Sequence, residues 1–293
     1  MPDSEFTDVR IETAGARIHV SHGGSGPPLL LLHGYPETHR MWQRVAPALA
    51  RDFHVICPDL RGYGDSSKPP GDPDHANYSK RAMADDMIAV MAALGYRRFG
   101  VAGHDRGARV AHRLALDHPA AVTRVCVMDI APTLHMFMHA DRHFATGYYH
   151  WFFLIQPDGL PEHLIGQDPG YYLREKLRRW AAPGAEFDES AVADYVRCFS
   201  DPAAIHASCE DYRAAASIDL AHDTASRDQR IRCPLLVLWG DKGFVHRSYD
   251  VLSVWRDYAT DVRGHSVDSG HFLPEEAPTE VLAALHSFFK DSP

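Results

Sequence analysis

Short apolar runs alternate with amphipathic stretches over most of the chain, and this alternation constrains the fold more than any other feature. Residues 28–32, 54–57, 99–102, 125–128 and 235–239 are continuous apolar or nearly apolar runs, as a strand buried on both faces must be. Two shorter strand-like segments, 9–13 and 18–21, precede them. Residues 81–94 and 108–117 instead space their apolar side chains as a helix does. Strands alternating with helices predict an α/β architecture with a mainly parallel sheet covered on both sides. Ligands of such sheets collect at the carboxyl ends of the strands.

The alternation stops after Ile130, Ala131 and Pro132 and resumes only near Arg232, Cys233 and Pro234. The stretch between is aromatic-rich and helical in pattern, without a convincing apolar strand. It is expected to be a helical cap inserted over the sheet's active edge, covering 133–223, with 1–132 and 224–293 forming the core. A chain of 293 residues that is 45% hydrophobic and 24% charged suits one large domain carrying such an insertion. Residues 68–74, with their paired prolines and Gly71, read as an exposed loop.

A formal net charge of -9 supplies no basic footprint for nucleic acid. The opening residues 1–6 are acidic and polar where a secretory signal has a basic start and an apolar run, and no apolar stretch is long enough to span a bilayer. Five cysteines, an odd number without C-x-x-C spacing, argue against a disulfide framework and a zinc site and fit a reducing cytoplasm. Twenty histidines invite a metal, and His139 and His143 stand four apart. No H-E-x-x-H arrangement or third ligand accompanies them, so the histidines are expected to be solvated surface residues.

The chemistry concentrates at Gly103-His104-Asp105-Arg106-Gly107, where a buried run passes through G-x-D-x-G into a helix. Glycines around the central residue permit a tight, strained turn that holds its side chain above the sheet, the nucleophile-elbow pattern with aspartate in place of serine. The same aspartate would also suit a helix N-cap, and the motif alone does not separate the two uses. Three further features favour the elbow. His33-Gly34-Tyr35-Pro36 follows an apolar run at the place of an oxyanion hole, so the Tyr35 and Arg106 amides are expected to point at Asp105. Asp59 to Ser66 follows the next run. Ser269-Gly270-His271-Phe272 precedes a last helix, where a general base belongs. The acid that orients His271 has two candidates, Asp129 after the 125–128 run and Asp241 after Trp239-Gly240. Asp129, at a strand's carboxyl end, is the expected one, and Asp241 reads as a turn residue.

An aspartate nucleophile restricts the reaction. Attack on a carbonyl would give a labile anhydride, whereas attack on saturated carbon gives an ordinary ester, so halide displacement or epoxide opening is expected. Arg106 and Arg109 lie three apart at the start of the helix, and their guanidinium forks suit a substrate carboxylate while helping to keep Asp105 ionised. Surface salt bridges are the alternative use, and the one expected for Arg113.

On these residues the chain resembles the fluoroacetate dehalogenases, a haloacetate-specific branch of the epoxide hydrolase and haloalkane dehalogenase group, over essentially its whole length. The resemblance implies an α/β-hydrolase fold with Asp105 as nucleophile, His271 as base and Asp129 as acid. Many relatives carry the acid three residues beyond the Trp-Gly pair, where this chain has Gly243. Arg106 and Arg109 would hold the substrate carboxylate, and His150, Trp151 and Tyr212 the leaving halide. Imidazole, indole and phenol hydrogens are the strong donors a departing fluoride needs. The neighbouring Tyr148, Tyr149, Phe152 and Phe153 read as an aromatic packing stripe. The resemblance also implies a homodimer acting on a small haloacid, with no cofactor, metal, nucleic acid or membrane partner. An epoxide hydrolase with the same triad is the nearest rival, drawing its acid from Tyr148, Tyr149, Tyr171, Tyr172, Tyr195 or Tyr212. A neutral haloalkane would leave the arginine pair without purpose, and a noncatalytic binding protein would not need the complete Asp105, His271 and Asp129 set.

Overall fold

The computed structural model describes residues 6–290, so the opening segment weighed above lies outside it except for Phe6. One sheet contains β1 (Phe6–Glu12), β2 (Arg17–Gly23), β3 (Pro28–Leu32), β4 (His54–Pro58), β5 (Phe99–His104), β6 (Val122–Met128), β7 (Leu235–Gly240) and β8 (Val262–Val267). Their order is β1-β2-β4-β3-β5-β6-β7-β8. From β4 to β8 neighbours run parallel, while β2 is antiparallel to both β1 and β4. β5 is buried along its whole length near the middle of the sheet, which is why it reads as an unbroken run. β8 escapes a reading of apolar runs because Val-Arg-Gly-His-Ser-Val is largely exposed; as an edge strand it needs only β7 beside it.

Helices α1 (Ala46–Leu49), α2 (Lys80–Ala93) and α3 (Asp105–Asp117) belong to the first half of the sheet. Ser79 starts α2 by accepting the Ala82 amide. Between β6 and β7 the chain forms no named strand, only α4 (Thr133–Met138), α5 (Arg142–Gly147), α6 (Tyr149–Phe153), α7 (Leu160–Gly166), α8 (Pro169–Trp180), α9 (Glu189–Phe199), α10 (Pro202–Ala215) and α11 (Ile218–Ala225). Local chemistry sets several of these boundaries. Asp141, Asp168, Asp188 and Asp201 each accept amides of the first turn, and Pro169 and Pro202 directly follow two of them. The chain then closes with α12 (Phe244–Ser248), α13 (Val251–Arg256), α14 (Leu273–Glu276) and α15 (Pro278–Lys290). No helix among the described residues is long and apolar enough to cross a membrane.

Two sequence expectations fail here. Arg113 is buried rather than on the surface, because α3 packs closely against its surroundings and Asp117 neutralises the guanidinium at 2.7 Å. Many histidines are likewise buried. His19 and His39 direct their Nδ1 atoms to the Asp59 carboxylate at 3.0 and 2.9 Å, and the same carboxylate accepts the His39 and Asp65 amides. This cluster pins the loop after β4. His139 is exposed and stacks on His135.

Candidate active site

β5 ends at His104 and the chain turns at once into α3. Asp105 takes a φ of 43°, a left-handed conformation costly for a residue with a Cβ. The turn is possible only because its flanks lack side chains: a Cβ on Gly103 would stand 2.5 Å from the Gly107 carbonyl oxygen, and one on Gly107 would stand 2.4 Å from that of His33. The Asp105 carboxylate does not cap its own helix, whose N-cap is His104. It accepts the Tyr35 amide at 3.1 Å instead. The Arg106 amide lies in the first turn of α3, where helix N–H groups have no partner within the helix.

Asp129 follows β6, also with positive φ, at 51°. One carboxylate oxygen accepts the Gly240 amide at 3.1 Å, and the other accepts from His271 Nδ1 at 2.6 Å. That bond leaves Nε2 as the ring nitrogen able to take a proton. The backbone places His271 through its own amide, which donates to the Trp180 carbonyl at 2.9 Å. A Cβ built on Gly243 would lie 3.3 Å from the Asp129 carboxylate. The two chain positions that could carry an acid thus open on the same space, and Asp129 fills it. Asp241 is exposed.

Asp105, Asp129, Tyr148, His150, Trp180 and His271 share the wall of a cavity of about 440 Å³. Arg106, Arg109, Trp151 and Tyr212 are buried around the same centre. The Arg106 guanidinium lies 4.2 Å from the Tyr212 ring centroid, that of Arg109 lies 4.7 Å from Trp151, and the His150 and Tyr212 rings are 5.5 Å apart. The arginines do not present two open forks. Arg106 binds Asp211 through Nε at 2.9 Å and Nη2 at 2.7 Å. Arg109 gives Nη1 to the Ala131 carbonyl and the Thr133 hydroxyl, and Nη2 to the Met136 sulfur. What stays unpaired is Nη1 of Arg106, Nε of Arg109, Nδ1 of His150 and the Tyr212 hydroxyl. Buried donors without partners are costly, and their gathering beside a carboxylate marks a site built to receive an acceptor-rich ligand.

Electrostatics follow from this packing. Burial would push the Asp105 carboxyl up, but the charges of His271, Arg106, His104 and Arg109 outweigh it and hold the group below its ordinary value. Asp105 is therefore ionised at neutral pH. Burial, with Lys176, His271 and both arginines nearby, pushes His150 well below the usual histidine range, so its ring is neutral and offers one N–H. Such an arrangement can deliver a desolvated carboxylate to an electrophilic carbon, hold a negative group beside it and activate water through a His–Asp pair.

Two residues at this site escape the sequence reading. Asp211 directly precedes Tyr212 and lies fully buried in α10; an acid among Ala207, Ser208 and Cys209 on a packed helix is the only local signal of it. Trp180, the last residue of α8, packs on the rings of His150 at 4.6 Å and His271 at 5.4 Å. Nothing in its sequence neighbourhood points there.

Residues 27–278 match the family model of the α/β hydrolase fold. A fluoroacetate dehalogenase from Burkholderia sp is 46% identical over 96% of this chain and 93% of its own length. A soluble epoxide hydrolase from Corynebacterium sp is 35% identical, with 98% of each chain covered. The crystal structure of a protein described as an α/β hydrolase, from Nostoc sp PCC 7120, superposes with a TM-score of 0.97 at 58% identity over 98% of both chains. By its fold, its elbow and these relatives, the chain belongs to the fluoroacetate dehalogenase family of the α/β-hydrolase fold.

Proposed function

We propose that this protein is a haloacetate dehalogenase that converts fluoroacetate or a related haloacetate to glycolate and halide through an ester on Asp105. The observation that carries this reading is the set of unpaired, buried Arg106 and Arg109 donors beside an ionised carboxylate. A neutral substrate without a carboxylate would leave these buried N–H groups short of an acceptor, whereas a haloacetate supplies one that is charged. In the first step an Asp105 oxygen bonds to the halogen-bearing carbon as the carbon–halogen bond breaks, and the halogen leaves as halide with that bond's electron pair. His150, Trp151 and Tyr212 are proposed to receive that halide, the neutral imidazole and the phenol as hydrogen-bond donors. In the second step His271 Nε2 takes a proton from water, and the hydroxide adds to the Asp105 carboxyl carbon. The Tyr35 and Arg106 amides hold the resulting oxyanion. As the tetrahedral intermediate collapses, His271 returns its proton to the glycolate oxygen, glycolate departs carrying the original Asp105 oxygen, and the proton left on the Asp105 carboxyl passes to solvent. Asp129 steadies the imidazolium during this step.

We further assign 133–223 as the cap and 1–132 with 224–293 as the core, and propose a cofactor-free cytoplasmic homodimer. The free state of all five cysteines agrees with a reducing compartment, and the dimer rests on the family resemblance.

The deciding experiment offers purified protein fluoroacetate, chloroacetate, a neutral chloroalkane and styrene oxide, with free halide and diol measured separately. Halide release confined to the haloacetates is expected. Asp105→Asn should lose it. A single turnover of the wild type in water carrying heavy oxygen should place the label on Asp105 and not in glycolate, and label in the first glycolate formed would refute the ester. Epoxide hydrolysis is favoured by one observation, the unpaired Tyr212 hydroxyl with Tyr148 on the cavity wall. Of the other tyrosines, Tyr149 also lines the cavity and accepts from Lys176, Tyr172 accepts from Tyr35, Tyr195 spends its O–H on Glu275, and Tyr171 is exposed. Diol from styrene oxide without halide from any haloacetate would establish that reading instead.

A further inference from the structure

We infer that Asp211 is a positioning residue for carboxylate recognition: the buried Lys80–Asp211–Arg106 chain fixes the Arg106 guanidinium so that only Nη1 faces the substrate. This rests on the haloacetate reading above and adds to it the device that sets the carboxylate preference. An arginine has five N–H donors. In Arg106 three are spent on one residue, with Nε on Asp211 Oδ2 at 2.9 Å and Nη2 on both Asp211 Oδ1 at 2.7 Å and the Asp211 carbonyl at 3.0 Å. The two on Nη1 have no partner.

Asp211 is itself immobilised. Oδ1 also accepts from Lys80 Nζ, and Oδ2 from the Tyr63 hydroxyl at 2.7 Å. With four donors on two oxygens, its lone pairs are filled and the carboxylate cannot pivot. Lys80 is anchored in turn, since its amide at the start of α2 donates to Asp219 at 2.8 Å. All of these side chains are buried, so solvent does not screen the ion pairs. A long arginine beside the Asp105 carboxylate would otherwise have many rotamers open to it. Asp211 selects one of them. It also neighbours Tyr212 in α10, so a single helical turn sets both the Arg106 donor and the phenol packed against it.

A purely structural ion pair would affect every substrate alike, which gives the test. Chloride release is compared for chloroacetate and its neutral counterpart chloroacetamide in wild type, Asp211→Asn, Arg106→Ala and the double variant. Asp211→Asn is expected to lower kcat/KM for chloroacetate roughly 30-fold, mainly through KM, while chloroacetamide changes by no more than about threefold, in line with loss of a charge-assisted hydrogen bond. In the Arg106→Ala background Asp211→Asn should add little. Should Asp211→Asn fail to fold, the Lys80→Met, Asp211→Asn pair removes both buried charges together and is measured in the same way, against Lys80→Met alone. Equal losses on the two substrates, or an undiminished Asp211 effect without Arg106, would overturn the inference and leave the dehalogenase reading intact. A wild type inactive on chloroacetate and fluoroacetate would instead remove the reading, and the inference with it.

Discussion

At the residue scale the site depends on two backbone outliers. Asp105 and Asp129 both hold positive φ at the ends of adjacent parallel strands, and each carboxylate is met by an amide from another segment, Tyr35 and Gly240 respectively. The surrounding packing compensates the strain, as functional sites often require. Asp129→Asn tests the second member of the pair. It keeps the shape but replaces one acceptor oxygen by an amide, so His271 Nδ1 loses its charged partner and the imidazolium its stabilisation. Steady-state halide release should fall by a factor on the order of 10³ to 10⁴, as for other triads. Because Gly243 faces the same space, Gly243→Asp in that background should restore part of the loss. A fall below tenfold in Asp129→Asn would assign the orienting acid elsewhere.

At the element scale, α6 and α10 furnish the aromatic donors while β5 and α3 furnish the carboxylate and the arginines. Trp151 is fully buried against Phe137 at 4.9 Å and Phe144 at 5.4 Å, so its ring has a packing role besides any donor role. Trp151→Phe keeps much of that packing and removes the indole N–H. Fluoride release is expected to fall at least about tenfold more than chloride release, because fluoride gains most from each hydrogen bond in its departure. Parallel loss of both halides would assign Trp151 to packing alone. The melting temperature, followed alongside, separates loss of a donor from loss of the fold.

At the scale of the whole molecule, stability should report a buried acid pair behind the site. Burial pushes the Glu37 carboxyl up to about 8, and Glu275, coupled to it and also buried, is raised well above its ordinary value. His104 Nδ1 lies 3.2 Å from Glu37, and Tyr195 donates to Glu275 at 3.0 Å. Two carboxyls in contact hold a proton that the unfolded chain releases near 4.5. The native state therefore binds more protons than the unfolded one between pH 4.5 and 8. The pair's contribution is complete at the acid end of that window and is lost as pH rises through about 8, with a slope of up to about 1.4 kcal/mol per pH unit. Glu37→Gln should flatten the decline, so that its urea midpoint changes less than that of wild type between pH 5.5 and 8. Parallel curves would exclude the pair as the source.

The parallel core, the elbow at Asp105, the turn that brings the Tyr35 amide to Asp105 and the placing of His271 near the end were legible in the sequence, because each rests on local signals. Apolar runs, glycines that allow a strained turn and Gly-His before a helix act over a few residues. Asp129 could be preferred over Asp241 on the same grounds, and the structure gives the spatial reason: Asp129 meets His271 Nδ1 at 2.6 Å, while Asp241 is exposed. Other features have no local signature. The polar edge strand β8 is defined by its neighbour β7 rather than by its own composition. Likewise the arginine pair at 106 and 109 was legible as cationic, but the partners of its N–H groups come from segments about 20 to more than 100 residues away, at Ala131, Thr133, Met136 and Asp211. Only the tertiary structure decides which donors are spent and which remain, because hydrogen bonding in a buried site is settled by what packs across from each atom.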